Sequence, residues 1–324
     1  GSSIVHPTGL TFGGINQVWD DKAIDGYRKV TTAVKNQNTP IFAQLSHLGR
    51  QGSCFPSQRE LWAPSPIPDP ASRVVPHAMS KAEIKEIVSS YAFSARLMSD
   101  ANFDGLEVYM AHGYLLGSFL SRFSNVRKDE YGGSIENRVR LPIEVLQAVK
   151  RNITSTMPVG IRISAEEFVK DGLNPDEVSE MIELITTEAP LDYISVSQSN
   201  YASIDRQIPD MSFPKAPFIN FAKVIRQVAN SIPVFAVARI VDPEKADEII
   251  DRKFADFVCM VRPLIAGAEL RNKAKLVQLD KIMAAMSLLA ALGEFFVIRS
   301  VTVAQAAAVA PVHYSLVIWS TLYG

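Results

Sequence analysis

The chain has 324 residues, 47% hydrophobic and 21% charged, with a net charge of −1. That is apolar material for one large core or two ordinary ones, and the near-neutral balance gives no electrostatic footprint for nucleic acid or an anionic membrane surface. The two cysteines, Cys54 and Cys259, stand far apart and in no CxxC or CxxH pattern; no metal site and no iron–sulfur cluster is expected, and ordinary reduced thiols of a cytosolic protein are. The opening residues lack a basic n-region and a long apolar run, so no signal peptide is expected.

In chain order, short apolar runs alternate with amphipathic stretches. Strands are expected at Ile41–Leu45, Leu106–Met110, Val159–Ile163, Tyr193–Val196, Val234–Val237 and Phe257–Val261. They read as short, β-branched or aromatic runs without alternating polar positions, as parallel strands covered on both faces do. Helices are expected at Lys81–Asp100, Arg138–Ile153, Pro175–Thr187, Phe218–Val228 and Pro243–Arg252. Ser80 with Glu83 reads as a capping box. Asn174-Pro175 and Asp242-Pro243 each place a capping side chain before a proline at the first helical position.

Strand and helix in alternation predict a parallel α/β fold. No Gly-x-Gly-x-x-Gly follows the first strand, which argues against a dinucleotide-binding Rossmann unit. Gln44, Tyr109, Arg162, Gln198, Arg239 and Arg262 fall at the C-terminal ends of strands, where a (β/α)8 barrel keeps its active site. About six strand–helix units are legible, two fewer than a closed barrel needs.

The candidate chemistry sits at those strand ends. Tyr109, His112 and Tyr114 occupy one strand tip and the loop beyond it, where two donors could bind a carbonyl oxygen or an anion, or position an amine. A tyrosine closing the core beside a histidine bonded to backbone is the plainer account of the same residues. Arg162 ends an apolar strand and must meet an anion, a polar ring edge, or a structural partner such as Glu107 or Glu166. Arg239 and Arg262 each follow a strand and precede a helical segment, the arrangement of a barrel's phosphate site; ordinary surface arginines are the alternative. Asp129-Glu-Tyr-Gly-Gly133 reads as a glycine turn that locks the segment presenting His112.

The stretch AHGYLLGSFLSRFSNVRKDEYGGSIENR resembles the signature of the old yellow enzyme family, the FMN-dependent NADH:flavin oxidoreductases. IFAQLSHLGRQ, HPTG, VGIRIS, VFAVARIVDPEKADEII and FVCMVRPLIAGAELRNK are similar to further motifs of that family, so the resemblance runs from residue 1 to about residue 276. It implies a TIM barrel with FMN bound and NAD(P)H as reductant. Gln44 and Arg162 would bond the pyrimidine side of the flavin. The loops at Ala238-Arg239 and Val261-Arg262 would hold its phosphate. His112 would bind the substrate's electron-withdrawing group, with Tyr109 and Tyr114 beside it. Hydride would pass through the flavin to an activated alkene. Tyr109 stands where many ene-reductases have histidine, and the Tyr-x-x-His pair is closer to the trimethylamine dehydrogenase branch, which implies a small amine as the other substrate. That branch's cysteine cluster for a 4Fe–4S centre has no counterpart here. Ala238 and Val261 occupy positions where the family often has glycine.

Set against the family, the barrel (1–279) is expected to lack its first two β/α units. After Lys281 the sequence turns apolar to its end, with Glu294 and Arg299 as the only full charges. Residues 280–324 are similar to late helices of the EamA-type drug/metabolite transporters and are expected to form a hydrophobic helical tail with membrane contact over 282–324. The expectation is a cytoplasmic barrel with a membrane-associated tail and a small-molecule substrate. A second reading, from the missing units and the tail, is a non-catalytic remnant that binds no flavin.

Overall fold

The structure is a computed structural model that describes residues 2–11, 16–267 and 270. The expected tail, the boundary near Leu279 and the transporter-like segment lie outside the described residues. Among those described, no helix is long and apolar enough to cross a membrane. The chain divides into two compact units, Gly1–Ser203 with Val224–Val234, and Ile204–Lys223 with Phe235–Gly324.

The first unit is built on parallel strands. These are β1 (Ser2–Ile4), β2 (Asn16–Gln17), β3 (Phe42–Ser46), β6 (Gly105–Met110), β7 (Val159–Ser164) and β8 (Tyr193–Ser197), in the spatial order β8-β7-β6-β3-β1-β2. A small separate pair, β4 (Trp62–Ala63) and β5 (His77–Ala78), lies between β3 and β6 in sequence. Four strands expected from sequence are therefore present in this unit, and the structure adds β1 and β2 to the sheet, ahead of the first strand expected. The count of six corrects accordingly. Strands of two or three residues are too short to show a period, and β1 is a strand because its backbone pairs with β3, Ser2 opposite Gln44 and Ile4 opposite Ser46.

The strands do alternate, contrary to the sequence reading. Paired residues of parallel strands share a face, and side chains switch face at every residue. The registers Gln44–Glu107, Tyr109–Arg162 and Arg162–Ser195 therefore place Gln44, Ser46, Glu107, Tyr109, Arg162, Ser164, Ser195 and Ser197 on one face. Ala43, Leu45, Leu106, Val108, Ile161, Ile163, Ile194 and Val196 form the other, buried under helices. The N-terminal end of the polar face is filled by aromatic rings. Phe42 lies over Gly105 and Tyr193 over Gly160, so close that a Cβ at either glycine would overlap the ring.

The helices form where sequence expects them. Lys81–Asp100 begins with the Ser80/Glu83 capping box. The span expected at Arg138–Ile153 is a turn, Ile135–Arg138, followed by Arg140–Arg151, whose Leu141, Val145, Leu146 and Val149 are buried on one stripe. Pro175–Glu188 starts at the Asn174 cap. The helix Ile24–Lys35 was not legible: it carries a glycine and several β-branched residues and buries only Thr31.

In the second unit β9 (Val234–Ala236) and β10 (Phe257–Val258) pair in parallel, Phe235 opposite Phe257. The helix Pro243–Asp251 starts at the Asp242 cap. The strand expected to reach Val261 ends at Val258. Val261 opens the helix Val261–Ala266 instead, because Pro263 favours a first helical turn and offers no N–H to a strand ladder.

Candidate active site

At the C-terminal end of β6 the chain leaves the sheet through His112 and Gly113, both at positive φ (60° and 73°). That turn is what brings His112 back beside the strand that precedes it. Its backbone N–H donates to the Ser164 hydroxyl at 2.9 Å. Its ring lies between two hydroxyls: Nδ1 is 2.5 Å from the Tyr109 oxygen and Nε2 is 2.7 Å from Ser197 Oγ. Arg162 Nη2 donates to the same Ser197 Oγ at 3.5 Å, and the guanidinium lies 5.9 Å from the centre of the Tyr109 ring. Gln44 Nε2 donates to Glu107 at 2.5 Å. The Tyr114 ring stacks on Tyr109 at 5.0 Å, and its hydroxyl meets that of Tyr201 at 3.2 Å.

Burial sets the charge state of this cluster. It pushes the His112 pKa well below the usual imidazole value, and the Arg162 charge pushes the same way, so the ring is neutral. Burial likewise raises the Tyr109 and Tyr114 phenols, which stay protonated. The cluster is a set of neutral donors and acceptors beside one guanidinium. It can polarise a bound oxygen or nitrogen through a hydrogen bond. Among the described residues its carboxylate is Glu107, which already accepts from Gln44.

The structure thus brings together Gln44, Tyr109, His112, Tyr114 and Arg162 in one unit. Ser197, Ser164 and Tyr201 join them and were not singled out from sequence. The signal for Ser197 was present in β8, where Tyr193, Ser195 and Ser197 recur at every second residue. Two further hydroxyls of this face, Ser46 Oγ and Ser195 Oγ, are buried without a hydrogen-bond partner. An orphaned buried hydroxyl is costly. A polar-edged planar ring lying against Gln44, Arg162 and these serines would satisfy them, so the residues fit a flavin's pyrimidine edge.

The loop after the cluster is anchored as the glycine turn suggested. Gly133 has φ of 84°. Arg127 holds Asp129 through two bonds of 3.0 and 2.6 Å and donates to the Pro64 and Met79 carbonyls. Arg138, 1% exposed, donates to the Gly133 and Leu120 carbonyls and pairs with Glu177 at 2.5 Å.

In the second unit Ala238 and Arg239 both take positive φ, 78° and 52°. Arg239 Nε donates to the Asp210 carbonyl at 2.5 Å, and Arg262 Nη1 to the neighbouring Pro209 carbonyl at 2.9 Å. Two guanidiniums are held by consecutive carbonyls. Burial and the Arg239 charge both lower the Arg262 pKa, with Asp210 opposing them. Like charges brought together in this way suit an anion. Arg262 lies in the helix Val261–Ala266 and Val261 is exposed. Among the described residues Glu60, His77 and Glu83 have the spacing of metal ligands, but Glu83 serves the helix cap and the group is open to solvent, so we assign it no metal.

The sequence model of the NADH:flavin oxidoreductase / NADH oxidase family matches residues 1–280. The chain is 37% identical over 257 residues to an NADH oxidase of Thermoanaerobacter brockii, covering 79% of this chain and 39% of that protein. It is 32% identical over 269 residues to an N,N-dimethylglycine/sarcosine dehydrogenase of Chromohalobacter salexigens, covering 81% of this chain and 38% of that protein. The solved structure of histamine dehydrogenase from Rhizobium sp. 4-9 matches with a TM-score of 0.78 and 29% identity, over 87% of this chain and 41% of that one. The chain spans well under half the length of these three proteins.

Proposed function

The chain belongs to the NADH:flavin oxidoreductase / NADH oxidase family, and from that premise we propose that it is an FMN-dependent oxidoreductase acting on a small molecule, with NAD(P)H as reductant and an activated alkene as acceptor. The observation that carries this reading is the hydrogen-bonded row Tyr109–His112–Ser197–Arg162 on the same face as Gln44. Completion of the strands into a (β/α)8 barrel is part of the proposal. So is phosphate binding by the loops at Ala238-Arg239 and Val261-Arg262.

Bound FMN would supply hydride transfer. The rest falls to the protein's own residues. Gln44 and Arg162 would hold the flavin's pyrimidine edge, and the fixed positive charge of Arg162 favours electron density there. The Tyr109–His112 pair would bond the electron-withdrawing oxygen of the substrate, drawing charge from the double bond. The rings of Tyr109 and Tyr114 would pack against the substrate and exclude water. A second reading, oxidation of a small amine, is favoured by the Tyr-x-x-His pair and by the amine dehydrogenases among the similar proteins. A neutral histidine and protonated tyrosines beside the Arg162 guanidinium give an ammonium ion no counter-charge, which would favour the uncharged amine that oxidation requires.

Gel filtration with added FMN tests the cofactor. A flavin absorption band should travel with the protein, and a colourless protein peak overturns the assignment. With flavin bound, the rate of NADH oxidation with a conjugated enone, set against flavin reduction by a methylated amine under anaerobic conditions, decides between the two substrates. His112→Ala should keep FMN and lose turnover.

A further inference from the structure

His112 is neutral, so one ring nitrogen donates and the other accepts. Which is which decides what the site offers a substrate. Ser197 Oγ has two neighbours, Arg162 Nη2 at 3.5 Å and His112 Nε2 at 2.7 Å. A guanidinium can only donate. Arg162 therefore takes a lone pair of the serine oxygen, and the serine's single proton has one acceptor, the His112 Nε2 lone pair. The ring proton is then on Nδ1, where it donates to the Tyr109 oxygen 2.5 Å away. The phenol's own proton is left for another partner.

The opposite tautomer has a different cost. With the proton on Nε2, Ser197 Oγ would receive two donors and its own proton would have no acceptor. Ser197 is 1% exposed, whereas Tyr109, at the end of its strand, is 7% exposed. In either tautomer one hydroxyl proton lacks a partner among the described residues. Placing it on Tyr109 puts it at the strand end, where an incoming molecule can accept it. An orphan at Ser197 would sit at the more buried of the two residues.

We infer that the Arg162–Ser197 pair holds the His112 proton on Nδ1, so that the Tyr109 hydroxyl, and not the imidazole, is the hydrogen-bond donor offered to substrate. Ser197 is a positioning residue acting through His112. The selectivity that follows is for substrates with an acceptor atom, such as a carbonyl or nitro oxygen, beside the reacting bond. A protonated amine, which has only donors, cannot accept the Tyr109 proton. The substrate consequence rests on the flavin oxidoreductase reading; the tautomer does not.

Nitrogen-15 NMR of histidine-labelled protein tests the tautomer without turnover. The chain has five histidines, and His112→Gln identifies the resonances of His112. In the unsubstituted protein Nδ1 should carry the proton and Nε2 should resonate as an unprotonated nitrogen; a protonated Nε2 overturns the inference. Ser197→Thr, which keeps the hydroxyl, should preserve this pattern, and Ser197→Ala should shift it toward the other tautomer. An unchanged pattern in a folded Ser197→Ala protein also overturns it. In FMN-loaded protein reducing a conjugated enone, Tyr109→Phe should raise KM by roughly threefold to tenfold, the loss of one neutral hydrogen bond. An unchanged KM overturns the substrate contact while leaving the tautomer and the flavin assignment standing.

Discussion

The row at the end of β6 and the arginine loop of the second unit solve opposite problems. Tyr109, His112 and Ser197 are buried and uncharged, and they bond one another side chain to side chain with one hydroxyl proton left over. Arg239 and Arg262 are charged, half-exposed and anchored to backbone carbonyls. A neutral hydroxyl or imidazole can both give and accept, so a row of them can be buried with a single proton to place at its end. Guanidiniums only give. Two of them together stay near solvent, so the first cluster suits orientation and the second suits capture of an anion.

The sharpest break of that contrast concerns the anchor beneath the first cluster. Arg138→Ala leaves Glu177 buried without its closest cation, with the more exposed Arg122 3.5 Å away as the remaining one. It should cost about 3–5 kcal/mol, read as a lower denaturant midpoint. An exposed-pair value below about 1 kcal/mol would mean that the loop is not locked by this residue.

The arginines should behave differently. Arg239→Ala or Arg262→Ala should leave folding intact and weaken FMN by about 1.5–3 kcal/mol, the range for a hydrogen bond to a charged group. Riboflavin, which lacks the phosphate, should bind both variants and the parent alike. Equal loss of riboflavin would place the arginines elsewhere than on a phosphate.

Neutral burial also predicts a pH response in the first unit. His47 is fully buried, between Thr8 Oγ1 at 2.8 Å and the Gly49 N–H, and burial lowers its pKa to about 3. The folded state then binds fewer protons than the unfolded chain between about 3 and 6.5. Its stabilising contribution is full above about pH 6.5 and is lost on acidification, at about 1.4 kcal/mol per pH unit through that window. Urea denaturation across the window should show the slope, and His47→Gln should flatten it.

The smallest effect expected is at Ala238. Its φ of 78° is a conformation that glycine adopts freely. Ala238→Gly should raise stability by about 1 kcal/mol, seen as a higher thermal midpoint.

Much of this was legible in the chain itself. The capping residues Ser80, Asn174 and Asp242 fixed helix starts because a cap is a local bond between neighbours in sequence. The buried strands β3, β6, β7 and β8 announced themselves by apolar, β-branched runs. Tyr109, His112 and Arg162 stood out as polar residues at strand ends. The glycine turn before Arg138 was readable too, since positive φ is a property of single residues.

Other features depend on partners distant in sequence. β1 is three residues long and is a strand only because β3 lies beside it. The polar face of the sheet needs the register, which aligns Arg162 with Tyr109 and Ser195 across three strands. Ser197 shows in the sequence only as one of the alternating polar residues of β8, and its partner His112 lies 85 positions away. The residue types, their caps and their strand ends are determined by sequence, because those forces act between near neighbours. The tautomer of His112, the partner of Arg138 and the pairing of Arg239 with Arg262 were decided by tertiary structure, because burial and hydrogen bonding there join residues from separate elements.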